Sequence, residues 1–430
     1  MFKTNHPELS SNLRRWIALS FATIALAMID GHGRIGNGTD AHWYRLLAEG
    51  RTDLVRPPFT NRQFHPLLIK EMHRLTSFSL ETSFAVIGVL CLATMVALVF
   101  RILLKSGVPV WVGAFVGLSY FWALNFGNYI LPDLFDAFLL TIFLYFLWSG
   151  RYLLAMCMLF PLELTRESTS LVLVCLLIAG FRKIRWYLLA TAMIAFAGGK
   201  QVVAHLTKVT LASRHGLGEG LYDLLKIPWN LARNVFGVCL WTTTLQDFCQ
   251  QPRWVISLPG HIHFGGIHDI GYCFYDPGLQ LLWLLLSFSM FGLLPLILVF
   301  LANRNLKSLW PDDVFLRFCI VYGSLSFLLA PLLGASVDRL IAYSWPAFLL
   351  GVPLLLVRNR VMEHLQWRLL LVLHIVLCWI GILAQRLTTS ARLYALVVAG
   401  DIVLFWWAWR LIRRASQPES GIKRRQVLGA

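Results

Sequence analysis

Apolar runs recur along the whole chain, and polar residues gather at their ends. The first run is Trp16–Ile29. Further runs cover 83–100, 108–125, 134–149, 152–164, 168–180, 186–205, 279–301, 314–333, 340–357, 367–384 and 394–412. A helix crossing the hydrocarbon layer needs about 20 residues. The pattern therefore predicts an all-α polytopic membrane protein with about twelve transmembrane helices. An even count puts both termini on one side. The runs at 152–164 and 168–180 are the shortest of the pattern, and a re-entrant hairpin there would keep the parity. The first run follows Arg14-Arg15 and leads into Gly-rich polar sequence without a small-residue cleavage site, which predicts a retained signal anchor.

Two long polar stretches interrupt the pattern, at 30–82 and 206–278. In the first, Ala41–Leu47 and Pro66–Leu75 have the stripe of short amphipathic helices lying on a membrane. Neither stretch is long enough for a sizeable soluble core. The organisation expected is one transmembrane domain over 1–412 and a basic tail over 413–430.

Composition agrees with this division. Of the 430 residues 57% are hydrophobic and 14% charged, against about 25% charged in soluble domains. The net charge of +16 does not indicate nucleic acid, because most Lys and Arg flank apolar runs. There they fix orientation and meet anionic lipid. Arg101/Lys105, Arg151, Arg182/Lys183/Arg185, Arg304/Lys307 and Arg358/Arg360 all fall on the side of the N-terminus, joined by Arg413-Arg414 and Lys423-Arg424-Arg425. That side is expected to be cytoplasmic, with 30–82 and 206–278 outside. The first loop departs from the rule, carrying Arg34, Arg45, Arg51, Arg56, Arg62, Lys70 and Arg74 beside six acids. Basic residues there would serve an anionic ligand.

On this topology three polar clusters meet at the outer face: Asp40 with its neighbours, Asp133/Asp136, and Arg166/Glu167. A membrane protein that gathers acids and arginines at one face handles a charged or sugar-like ligand there. Asp40, followed by His42, Trp43 and Tyr44, is placed as a general base for a hydroxyl arriving from water. A helix N-cap at Thr39 or Asp40 is the competing account. Asp133 and Asp136 follow Pro132 three residues apart, so both lie on one helix face. Capping and the helix dipole would explain one acid but not both. Arg166-Glu167 stands at a hairpin tip, with Glu163 one turn earlier, and Asp338-Arg339 repeats the pairing. An ion pair explains either. A fixed guanidinium is also a bidentate phosphate ligand.

His261, His263, His268 and Asp269 could hold a metal, though Gly265-Gly266 between them favours a ligand-contacting loop. No cofactor is expected; a divalent metal is open but not indicated. Of the eight cysteines, Cys239, Cys249 and Cys273 share the second loop, where one disulfide with three alternative pairings is open. Asn37-Gly-Thr39 is a glycosylation sequon close to the first run.

Thr39-Asp40-Ala41-His42-Trp43-Tyr44 resembles the first outer loop of the GT-C superfamily of polytopic glycosyltransferases. So do Arg56-Pro-Pro-Phe59 with Arg62-Gln-Phe-His65-Pro66, Pro132-Asp133, and Thr165-Arg166-Glu167-Ser168. The likeness covers roughly 10–200; the second half matches only as further spans. Ala41 stands where several branches carry a second acid. The resemblance implies a GT-C-like fold, a polyprenyl-phosphate-linked sugar as donor and a glycan, lipid or protein acceptor. It also implies extracytoplasmic transfer with inversion, Asp40 as base and location in the bacterial inner membrane. Substrate-binding residues would be His42, Tyr44, Arg62, His65, Asp133, Asp136, Arg166, Glu167 and Arg339. Membrane lipids are the other expected partners, and no nucleic acid. Two alternatives stay open. One is a polysaccharide polymerase or ligase leaning on Arg214, His215, Arg233 or His261. The other is a transporter or flippase, for which Asp401 is the main charge deep in a run.

Overall fold

The computed structural model describes residues 6–31, 39–55, 59–127, 129–208, 227–228, 230–232, 234–235, 238–242, 254–257, 267–272, 277–304, 313–334, 337–359, 366–387 and 391–415. It is an integral membrane protein built on helices. Among the described residues six helices are long and apolar enough to cross a membrane, or seven if one bent pair is a single span.

The N-terminal half opens with α1 (His6–Gly31), which extends the expected first run at both ends, and the short helices α2 (Thr39–Ala48) and α3 (Phe64–Thr76). Then come α4 (Leu80–Lys105), α5 (Val110–Gly117), α6 (Phe121–Phe126) and α7 (Pro132–Trp148). The half closes with α8 (Tyr152–Cys157), α9 (Leu159–Thr165), α10 (Thr169–Gly180) and α11 (Trp186–Lys208). At 1.5 Å per residue the 26 residues of α4 exceed the ~30 Å a span needs. Its start is fixed by Ser79, whose hydroxyl accepts from the Thr82 amide at 3.1 Å. Pro132 opens α7 with no N–H to lose, which leaves Asp133 in the first turn at the positive end of the helix dipole.

The second half holds α12 (Pro277–Phe291), α13 (Leu294–Arg304), α14 (Val314–Leu333) and α15 (Val337–Ala342). A π-helical turn (Pro346–Gly351) leads into α16 (Val352–Arg358), followed by α17 (Trp367–Leu387) and α18 (Ala391–Ala415). In the second polar loop three short strands, β1 (Val238–Thr242), β2 (Trp254–Ser257) and β3 (Ile267–Tyr272), form an antiparallel sheet in the order β1-β3-β2. This sheet is the departure from the all-α expectation.

Several expected spans are broken rather than continuous. The run 108–125 is two short helices, α5 and α6, and the Ser119 hydroxyl between them donates to the carbonyl of Met290 on α12. The run 279–301 bends by 98° between α12 and α13. Gly292 turns the chain there with a φ of +51°, and His374 of α17 accepts the freed Leu293 amide at 3.2 Å. A backbone group exposed by a break inside a membrane needs such a partner. The count of twelve spans is not established by these helices. The pieces at Tyr152–Thr165 and Thr169–Gly180 remain short of a crossing length.

One close crossing sets the second half. A Cβ on Gly323 of α14 would come within 2.6 Å of the Ala347 nitrogen and 2.7 Å of the Ser344 oxygen. Only glycine lets α14 lie against the segment after α15. That contact holds the segment that follows α15, and Arg339 on α15 bonds Asp133 at the start of α7, where the polar residues meet.

Candidate functional site

Asp133 is the hub. It is buried at the start of α7 and all of its acceptor capacity is directed at three side chains. Its Oδ2 accepts from Nε (3.1 Å) and Nη2 (2.8 Å) of Arg339. Its Oδ1 accepts from Nη1 of Arg166 and, at 2.9 Å, from the hydroxyl of Tyr343. The Tyr343 hydroxyl in turn accepts from Arg166 Nη1, and the guanidinium lies 4.7 Å from the Tyr343 ring centroid. Arg339 and Tyr343 are four residues apart, so α15 and the turn after it present both on one face.

Arg339 also reaches outward. Its Nη1 donates to Asp40 Oδ2 at 2.8 Å, which joins α2 to α15 and, through Asp133, to α7 and α9. Asp40 sits in the first turn of α2 with its side chain 37% exposed, and Oδ1 takes no partner among the described residues. It is the one carboxylate of the cluster with both a tied and an open oxygen.

A second pair flanks the hub. Arg62, just ahead of α3, donates from Nε (3.1 Å) and Nη2 (2.5 Å) to the two oxygens of Glu167, and from Nη1 to the Tyr44 hydroxyl at 2.8 Å. Such a fork fixes a guanidinium in plane and direction. Burial pushes the Tyr44 hydroxyl pKa up, with Arg62 pulling the other way, so Tyr44 stays a neutral acceptor for Arg62. Burial would raise Glu167 too, but the bonds and charge of Arg62 outweigh it and hold the carboxyl below its usual value.

The remaining expected residues stand differently. Asp136 lies one turn into α7, buried, with no hydrogen-bond or ion-pair partner among the described residues. His42 is exposed and meets Trp43 edge-on, outside this hydrogen-bond network. His65 is buried in an aromatic stack, with its ring 5.1 Å from Phe135 and 5.4 Å from Phe84, and its Nδ1 has no partner among the described residues. It shapes the wall behind Asp133 rather than the network itself. Tyr343 is the member that sequence reasoning missed. Its spacing from Arg339 was the available signal.

Burial lowers the His65 pKa to about 3, against a push upward from Asp133. The folded protein thus refuses a proton that the unfolded chain accepts below about 6.5. Stability from this group is full above that value and falls as pH drops toward 3. In detergent, His65→Phe should keep the ring stack and flatten the acid-side decline of the thermal midpoint. An unchanged slope would show that other groups set it.

Among the described residues no group of three His, Cys, Asp or Glu side chains gathers as a metal site. The His261/His263 pair, the basic residues Arg214, His215 and Arg233, Cys249, Cys273, Asn37 and the tail beyond 415 lie outside the described residues. His268, Asp269 and Cys239 are placed on strands β3 and β1, with the disulfide and metal expectations not addressed by them. No protein-family model, no curated protein and no solved structure matches this chain.

Proposed function

We propose that this protein is a GT-C-type membrane glycosyltransferase. It moves a sugar from a polyprenyl-phosphate-linked donor to an acceptor hydroxyl at the extracytoplasmic face, with inversion. The observation that carries the reading is the single network Asp40–Arg339–Asp133–Arg166, in which a half-open carboxylate is tied to one anchored guanidinium that shares Asp133 with a second.

The chemistry is set by these parts. Asp40 takes the proton of the acceptor hydroxyl through its open oxygen. The hydroxyl oxygen attacks the anomeric carbon from the face opposite the phosphate, and the carbon–oxygen bond to the phosphate breaks. The lipid leaves as a monophosphate with its new charge on oxygen. Donors fixed where charge develops lower the barrier by about 3–4 kcal/mol each. Arg339 and Arg166 are so fixed by Asp133, and Arg62 by Glu167. A donor with its lipid tail between helices explains why such a site belongs at a membrane edge. The resemblance of residues 10–200 to GT-C enzymes supports the same assignment.

The donor half of this reading is tested with Arg166→Lys. Lysine keeps the charge and loses the planar fork. Binding of a polyprenyl-phosphate sugar in nanodiscs should weaken about tenfold, roughly one charge-assisted hydrogen bond. Equal affinity would remove Arg166 from the donor site.

Topology is part of the proposal, with both termini cytoplasmic in a bacterial inner membrane and twelve crossings. Single cysteines at 55 and 420 in intact cells should react with an impermeant thiol reagent at 55 only. Reaction at 420 alone would invert the assignment.

Transport is the second reading, and Asp401 favours it. This acid is fully buried within α18, both of its oxygens lack partners among the described residues, and the α12–α13 span is broken. Broken helices and intramembrane acids are transporter features. That reading predicts loss of function in Asp401→Asn with Asp40 dispensable.

A further inference from the structure

The second polar loop meets the end of α14 through two asparagines. Asn230 and Asn234 stand one helical turn apart in a segment helical at 230–232 and 234–235, and both are buried. The Asn234 amide donates to the carbonyls of Pro331 (2.7 Å) and Gly334 (2.9 Å). That of Asn230 donates to the carbonyl of Leu332 at 3.1 Å. These acceptors mark the end of α14, where the last four carbonyls of a helix find no partner within it. A left-handed residue after the helix commonly ties such carbonyls. Here Gly334 continues in extended backbone, with φ 179° and ψ −179°. The cap therefore comes in trans, from about 100 residues earlier in the chain.

Arg339 lies just past this capped end, on α15. It must reach Asp40 and Asp133 at the same time, with three bonds between 2.8 and 3.1 Å. A segment entering α15 from a frayed helix end would not hold a guanidinium to that tolerance, and displacement by about 1 Å is enough to cost a site most of its effect. Asn234 makes two of the three capping bonds and is 2% exposed.

We infer that Asn234 is a positioning residue: it clasps the long outer loop to the end of α14 and so fixes Arg339 between Asp40 and Asp133 for a lipid-linked phosphate. The inference rests on the transferase reading of this site. It also makes the loop a part of the site, since any force that displaces 230–235 would displace Arg339.

The test is a double-mutant cycle on the full chain in nanodiscs, with Asn234→Leu, Arg339→Lys and the two combined. Leucine keeps the volume of asparagine and removes the donors. Two readouts are taken, affinity for polyprenyl monophosphate and thermal midpoint. Asn234→Leu should weaken the lipid about tenfold, and the double variant should bind no more weakly than Arg339→Lys alone, because Asn234 acts through Arg339. Unchanged affinity in a folded Asn234→Leu, or losses that add in full, would overturn the inference. Should Arg339→Lys leave lipid binding unaltered, the site reading fails on its own account. The midpoints then decide the positioning claim: non-additive losses uphold it and additive losses reject it. If Asn234→Leu does not fold, Asn230→Leu, which gives up one bond, takes its place in the same cycle.

Discussion

Asp40→Asn is expected to lower sugar transfer by ~100–10,000-fold, the range for removing a general base. Asparagine keeps the shape, and its carbonyl can still accept from Arg339 Nη1, so the link from α2 to α15 survives. What is lost is the negative charge, and with it the capacity to take a proton. Arg339, its side chain 14% exposed, keeps Asp133 as counter-ion, so the neutral replacement leaves no buried charge stranded. Thermal midpoint and donor affinity should therefore stay close to those of the parent while turnover collapses. Turnover near the parent value would reduce Asp40 to a first-turn helix residue. The role would then pass to Asp133 or to Asp136, the buried acid that no described side chain hydrogen-bonds.

Asp133→Leu is expected to do the opposite, destroying stability before chemistry can be asked about. Asp133 accepts four hydrogen bonds from Arg166, Arg339 and Tyr343. Leucine in its place would leave two guanidiniums facing each other without their common counter-ion. Removing one partner of a buried ion pair costs about 3–5 kcal/mol, and here one carboxylate serves two cations. The thermal midpoint in detergent should fall by many degrees, or the protein should fail to accumulate. A midpoint within a degree or two of the parent would mean that water or lipid phosphate already compensates these arginines. Set beside Asp40→Asn, this result separates the hub from the base.

How far these residues are legible in the sequence depends on where their partners sit. Asp133 and Asp136 can be placed on one helix face from spacing alone, because Pro132 marks the helix start and three residues fix the angle. The short helices α2 and α3 are readable from their stripes. The ion pairing is not. Arg339 joins Asp133 across 206 residues and Asp40 across 299, and no local pattern encodes a contact of that separation. Asp338-Arg339 reads as a local ion-pair motif, yet the guanidinium goes to two acids on other helices.

The span count is obscured for a different reason. Hydropathy over 108–125 and 279–301 is continuous, so each run looks like one helix. The breaks are tolerated because side chains satisfy the opened backbone. In 279–301 the partners are distant: Ser119 donates to the Met290 carbonyl, and His374 accepts the Leu293 amide. In 108–125 they are local: the Ser119 hydroxyl accepts the Phe121 amide, and the Trp122 indole donates to the Val116 carbonyl. A sequence window sees the apolar residues and not those partners. The caps at Asn230 and Asn234 are hidden in the same way, as two ordinary amides in a polar loop.

The central claim is that this network transfers a sugar from a lipid phosphate, and a direct measurement tracks the donor. Purified protein in proteoliposomes would be given a panel of polyprenyl-phosphate sugars, labelled in the sugar, with a membrane-glycan extract as acceptor. The account predicts that one donor is converted to polyprenyl monophosphate, with its label moved to the acceptor, and that Asp40→Asn abolishes both. Donors left intact by a folded protein that neither binds them nor moves label to any acceptor would contradict it.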